Sequence, residues 1–249
     1  MFKKPKPGTV PLERALSKLG LASRTEARVL IRAGKVKVRG AVVSNPLAMV
    51  VPETARIEIE GISTAVARPI TVMLHKPAGV VTTRSDEKGR KTVYSLLDGL
   101  EAHVIPVGRL DLASTGLLLF TNDTQFSAWV TDPKNNIPKV YLVSVRGEVT
   151  DEYAARLESG IRDEGELLKA DRVVVRKRSK RESHLVVTLS EGKNREIRRM
   201  LSAAGHEVTR LKRVEFGGLS LGELKPGAWR ELSSAELRSA FPGAPLKVV

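Results

Sequence analysis

Three residues of this chain have types and settings suited to chemistry: Asp111, Tyr141 and Arg198. Asp111 lies in Val107-Gly108-Arg109-Leu110-Asp111-Leu112-Ala113-Ser114-Thr115-Gly116, between two glycines that permit tight backbone paths, just before the apolar run Gly116 to Phe120. A carboxylate confined in such a loop can act as a nucleophile or a base if a nearby cation keeps it ionised. Taken alone, an aspartate there more often caps a turn or pairs with a neighbour, here Arg109. Tyr141 falls in the extended run Val140 to Val145, where a tyrosine is usually core packing. Arg198 lies in Asn194 to Ala204, a helical pattern with Ile197, Met200, Leu201 and Ala204 on its apolar face. Arg195, Arg198 and Arg199 fall on another side, at spacings of three and four. A solvated or phosphate-contacting face would look the same.

The surrounding elements must hold these groups in place. Thr71 to Leu74 reads as a buried strand, and Pro77 and Gly79 then force a turn after His75-Lys76. Val80 to Thr83 resumes extended structure, Ser85 to Arg90 is a polar loop, and Thr121-Asn122-Asp123 carries turn chemistry after the Gly116 to Phe120 strand. Short strands and helices alternate without a fixed period, which favours an α+β domain.

A second unit precedes this one. Leu12, Ala15, Leu16 and Leu19 give one apolar helical face over Pro11 to Leu19, with Gly20 as its stop. Ser23-Arg24-Thr25-Glu26 reads as a capping box for a helix reaching Gly34. Lys35 to Arg39 follows as a strand with valines on one face and cations on the other, and Val50 to Ile59 reads as a strand pair or hairpin. Ser63 to Arg68 is the expected linker. This layout brings Arg14, Lys18, Arg24, Arg28, Lys35 and Lys37 toward one basic surface, suited to positioning RNA through its phosphates.

Composition narrows the function. The 249 residues carry a net charge of +14, and the excess is concentrated at residues 1–65 (net +7) and 172–213 (net +9). Two separate basic clusters suggest two contacts with one polyanion. The absence of cysteine excludes disulfides, thiolate metal sites and cysteine nucleophiles, and four scattered histidines argue against a histidine metal site. The chain has no G-X-G-X-X-G turn for a methyl donor or dinucleotide and no G-X-X-X-X-G-K-[S/T] phosphate loop. Its apolar runs are too short to cross a bilayer, and no apolar stretch follows the charged start. These features point to a soluble cytoplasmic protein without membrane contact.

Two resemblances sharpen this picture. Leu12-Glu13-Arg14 through Gly34-Lys35-Val36-Lys37-Val38 resembles the S4 RNA-binding domain, over residues 9–65. Gly108-Arg109-Leu110-Asp111 resembles the signature of RNA pseudouridine synthases, in the branch that modifies small- and large-subunit ribosomal RNA. His75-Lys76-Pro77-Ala78-Gly79, Lys139-Val140-Tyr141, Leu189 to Met200, Leu211-Lys212-Arg213-Val214 and Leu224-Lys225-Pro226-Gly227 match further motifs of that branch in the expected order. One departure is Glu196, where the family commonly has glutamine. The loop Thr83 to Val93 is most similar to a large-subunit branch that acts near the peptidyl-transferase centre.

The resemblance implies an S4 domain at residues 9–65 and a mixed, mainly antiparallel-sheet catalytic domain at 69–243. It implies isomerisation of uridine to pseudouridine in ribosomal RNA by a monomer that needs no cofactor or metal. Asp111 would then be the catalytic carboxylate, Arg198 the cation beside it, and Tyr141 the ring stacked on the target base. Arg109 would fill the space left by a flipped uridine, while Arg195 and Arg199 would contact RNA. The alternative is a non-catalytic S4-type ribosome-assembly factor. It explains the charge and the first 65 residues, but not the ordered motifs that follow.

Overall fold

The computed structural model describes residues 8–19, 21–52, 54–60 and 68–246. The expected stop at Gly20 and the linker residues 63–67 lie outside these. The N-terminal unit contains β1 (Val10–Pro11), α1 (Leu12–Lys18), α2 (Arg24–Arg32), β2 (Val36–Val38), β3 (Ala41–Val42), β4 (Met49–Val50) and β5 (Ile57–Ile59). The remainder contains β6 (Thr71–Lys76), β7 (Ile105–Val107), β8 (Thr115–Thr121), α3 (Thr124–Thr131), β9 (Lys139–Arg146), α4 (Asp151–Ser159), β10 (Ile161–Asp163) and β11 (Glu166–Leu168). It continues with β12 (Arg172–Arg178), β13 (Glu182–Leu189), α5 (Glu196–Ala203), β14 (Val208–Phe216), β15 (Leu219–Ser220), β16 (Trp229–Glu231) and α6 (Ser234–Ala240).

In the N-terminal unit, Leu12, Ala15 and Leu16 of α1 meet Ala27 and Ile31 of α2 over Val36, Ile57 and Ile59. The capping box forms as expected: Glu26 N–H donates to Ser23 Oγ at 3.1 Å, and Ser23 N–H donates to Glu26 Oε2 at 2.8 Å. Residues 50–59 are not a hairpin. β4 pairs with β1, whereas β5 pairs with β2 in a three-stranded sheet of order β3-β2-β5. The cause is local: Thr54 and Ala55 N–H both donate to the Val51 carbonyl, a turn that carries the chain from one partner to the other.

The larger unit is built on a sheet whose main path runs β12-β13-β9-β14-β8-β6-β16, with β7 added to β8 and β15 to β14. Every pairing in it is antiparallel except β14 with β8. β6 and β8 each have a partner strand on either side and are covered on both faces, which explains their continuous apolar runs. Val72, Leu74, Leu118 and Phe120 pack on the side of α4 and α5, and Met73, Leu117 and Leu119 pack on the side of α3 and α6. Asp123 caps α3, accepting from Gln125 N at 2.9 Å and Phe126 N at 3.2 Å. Val80 to Thr83 is not a strand. It makes a single bridge, Val81 to Thr92, and Thr82 bonds the Leu110 backbone instead.

β14 and β8 share only two register pairs, Lys212 with Thr115 and Arg213 with Gly116. Gly116 holds a φ of +106°, and a Cβ there would collide with the Arg213 backbone. Gly116→Ala combines backbone strain with overpacking at the one parallel seam, so it is expected to lower unfolding stability by about 3 kcal/mol or more. Urea unfolding of the variant measures this, and a loss under about 1 kcal/mol would refute the close approach.

Candidate active site

The parallel seam creates the site. The loop carrying Asp111 enters β8 where β14 begins to diverge from it, and a cleft of about 380 Å³ opens there. Gly108 to Asp111, Tyr141 of β9, Leu211 and Arg213 of β14, and residues 189–197 line it. Tyr141 stands opposite Arg213 on one neighbouring strand and opposite Val187 on the other. It is buried in the cleft wall, and its expected core setting and its site position are the same place.

The Asp111 loop is held through its backbone. Lys76, fully buried, donates Nζ to the carbonyls of Asp111 (3.0 Å), Ser114 (2.8 Å) and Pro77 (3.0 Å). Thr82 Oγ1 donates to Leu110 O at 2.7 Å, and Gly79 N–H donates to Leu112 O at 2.8 Å. The His75 to Gly79 turn is thus a clamp on the loop, and Asp111 leaves its side chain partly exposed to the cleft. Burial pulls the Lys76 amine down to about 8, and the Asp111 carboxylate opposes that shift.

Arg198 approaches from α5. Its Nε lies 3.9 Å from Asp111 Oδ2, and its Nη1 donates to Val208 O at 3.1 Å. Burial lowers the guanidinium from its ordinary value, and Asp111 counteracts this. The helix starts later than the sequence pattern suggests, at Glu196. Arg195 is its N-cap, in a left-handed conformation with φ 49°, exposed at the cleft rim. The cleft floor is cationic. Lys139 Nζ donates to Ile137 O (2.9 Å) and Ser190 O (3.3 Å), and burial together with Arg213 brings it down to about 8. Arg213 Nε donates to Leu117 O at 2.7 Å, and its guanidinium stacks over Phe216. Among the described residues, no group of three or more His, Asp or Glu side chains is arranged to hold a metal ion.

The structure brings Asp111, Tyr141, Arg198, Arg109 and Arg195 to this one cleft. Arg199 faces away from it, bonding Asp163 at 2.6 Å and Glu166 at 2.8 Å. The basic residues of the N-terminal unit also divide. Glu13, buried between α1 and α2, binds Arg28 through two nitrogens and lies 3.7 Å from Arg24. Arg14, Lys35 and Lys37 are exposed, and Lys18 is half-buried. The roles of Lys76, Arg213 and Glu13 were not legible beforehand: all three stand in recognised motifs, but no motif says that they are buried.

Comparison with known proteins agrees with this geometry. The sequence profile of the RNA pseudouridylate synthase family matches residues 70–203, and that of the S4 domain matches residues 10–53. An RNA pseudouridine synthase of Aquifex aeolicus is 38% identical over 96% of this chain and 97% of its own length. Ribosomal large subunit pseudouridine synthase B of Bacillus subtilis is 38% identical over 91% of this chain and 93% of its own. A crystal structure of a pseudouridylate synthase superposes with a TM-score of 0.65 at 30% identity, covering 92% of this chain and 98% of the other. An Asp–Arg pair beside a buried tyrosine, in a cleft opened by a sheet of this topology and preceded by an S4 domain, thus has its relatives among enzymes, and the chain belongs to the RNA pseudouridylate synthase family.

Proposed function

We propose that this enzyme converts one uridine of large-subunit ribosomal RNA to pseudouridine, acting as a cytoplasmic monomer with an S4 domain at residues 9–65 and a catalytic domain at 69–243. The observation that carries the reading is the Asp111 carboxylate, set 3.9 Å from Arg198 in the cleft that Tyr141 lines. The N1–C1′ bond of the uridine breaks with its electron pair left on N1, the base turns, C5 bonds to C1′, a base takes the C5 proton, and N1 picks up a proton, so that the product is an isomer of the substrate. The sugar passes through an electron-poor state at C1′. Asp111 meets it either by attacking C1′ or by taking a sugar proton, and both routes need an ionised carboxylate. Arg198 supplies the countercharge. The Tyr141 ring stacks on the base, and its hydroxyl stands ready for the C5 proton. Arg109, exposed on the rim, occupies the space a flipped nucleotide leaves, and unstacked loops or bulges cost least to open. Arg14, Lys18, Arg24, Arg28, Lys35 and Lys37 of the S4 domain, with Arg195 and Arg199, contact RNA phosphates; Arg24, Arg28 and Arg199 do so with acidic partners already beside them. The substrate assignment draws on the Bacillus subtilis relative.

The test is product mapping. Unmodified large-subunit RNA, small-subunit RNA and assembling subunits are incubated with the enzyme, and carbodiimide-dependent primer-extension stops are read. One new stop confined to large-subunit RNA is expected. Tight binding to all three without any stop would instead favour an S4-type assembly factor. Arg198→Ala should lower the single-turnover rate by about 10²- to 10³-fold with little change in KM, because it removes charge stabilisation needed only when the sugar reacts. An equal loss in KM and kcat would place Arg198 in RNA binding.

A further inference from the structure

The cleft wall contains two carboxyl groups that the chemistry above does not use, Glu191 and Glu196. Glu196 is only 3% exposed. Its Oε2 accepts from Lys193 N–H at 3.1 Å, but its Oε1 is buried with no donor among the described residues. Glu191 binds Lys193 Nζ at 2.7 Å, and the same ammonium donates to Leu167 O at 2.8 Å. Both carboxyls are tied to Lys193, Glu196 through the backbone N–H and Glu191 through the ammonium, and they act on each other electrostatically: Glu191 raises Glu196 and Glu196 lowers Glu191. Glu196 is buried and Glu191 beside it is half-buried and ion-paired to Lys193, so of the two Glu196 bears the cost of ionising, and a proton held on it toward Glu191 gives the orphan oxygen its partner.

We propose that Glu196 is a positioning residue, held as a neutral carboxylic acid that donates its proton to Glu191. The bridge fixes the 190–195 loop and the first turn of α5, and through α5 it sets Arg198 against Asp111. The consequence for rate rests on the isomerase reading above. The loop needs such a fastening. Arg195 sits in a left-handed conformation that a non-glycine side chain disfavours, and no side chain caps the helix there. The Glu196 bond to Lys193 N spans that strained residue.

The surrounding charges are Glu191 and Lys193 from the loop, Lys139 from β9 with Arg213 of β14 and Asp171 beside it, and Glu166 of β11 facing Lys193. Burial first, then Glu191, raises Glu196 to about 8, against the pull of Lys193. Its folded value lies above its unfolded one, so the stabilisation from the bridge is complete below the ordinary carboxylate range. It shrinks as pH rises and is gone above about 8.

Glu196→Gln provides the test, because an amide N–H can donate to Glu191 without titrating. Single-turnover rates on a minimal RNA are compared from pH 6 to 9.5. Lys76 and Lys139 titrate in the same range, so the quantity read is the ratio of wild-type to variant rate. That ratio should fall about ten-fold between pH 7 and pH 9, with the variant near wild type at pH 7 and KM unchanged. A pH-independent ratio, or a folded variant inactive at every pH, overturns the proposal. Infrared spectra of the RNA-free protein at pH 7 give a second readout. A protonated-carboxyl band should be present in the wild type and missing from Glu196→Gln, and its persistence in the variant also overturns the proposal. Absence of product from the wild type on every RNA would defeat the isomerase reading, while the infrared band would still decide the protonation of Glu196.

Discussion

Asp111→Asn should abolish pseudouridine formation, lowering the single-turnover rate by at least about 10⁴-fold, while RNA affinity changes by less than about three-fold. The substitution preserves size, and the loop has no reason to move: Lys76 grips the backbone carbonyl of residue 111, not its side chain. What disappears is the charge. An amide can neither attack C1′ nor accept a sugar proton, and Arg198 at 3.9 Å loses its counterion. Single-turnover assays with mapped product, beside filter binding of the same RNA, separate the two effects. A variant within ten-fold of wild type would remove Asp111 from the chemistry.

Lys76→Met should affect both stability and rate. Methionine fills the aliphatic stem's space in a fully buried position but leaves the carbonyls of Pro77, Asp111 and Ser114 without their shared donor. The Ser114 carbonyl is buried, whereas those of Pro77 and Asp111 are half-buried and Asp111 keeps the Ser114 N–H as a donor; at about 1–3 kcal/mol for an unsatisfied buried carbonyl, a total loss of about 2–4 kcal/mol is expected in urea unfolding. The Asp111 loop also loses its main anchor, and a displacement of about 1 Å at the reacting group is enough to cost about 10²-fold in kcat. If Lys76→Met unfolds like wild type and turns over normally, the Thr82 and Gly79 bonds alone suffice to hold the loop.

Much of this site could be read from residue order because local chemistry dictates it. The Asp111 loop, the strand after it, the capping box at Ser23 and the amphipathic face of α5 all follow from spacing and side-chain type. Errors arose where distant partners decide. Residues 50–59 look like a hairpin, yet Val50 finds Val10 and Ile57 finds Val38, across separations that no local pattern encodes. Val80 to Thr83 has strand composition, but Thr82 spends its hydroxyl on Leu110. Charge was the least legible property. A lysine beside proline in a turn is normally exposed, and only the fold shows Lys76 buried among carbonyls. Likewise, helical spacing groups Arg195, Arg198 and Arg199 together, but not that Asp163 and Glu166 claim the last of them. Glu196 stood out only as a departure from glutamine; its pairing with Glu191 needs the turn of the loop between them.

The two-residue parallel seam between β8 and β14 makes the site a late product of folding. Leu117 and Arg213, joined across it by a hydrogen bond, are 96 residues apart. The β12–β13 hairpin closes over a short turn, and closing the seam must overcome the entropy of a far longer loop. Asp111 hangs on one lip of the seam and the cleft floor on the other. By the same measure, a chain that has collapsed but not yet zipped its centre carries its S4 domain and the β12–β13 hairpin but has no cleft, so RNA capture can precede catalytic competence each time the protein is made.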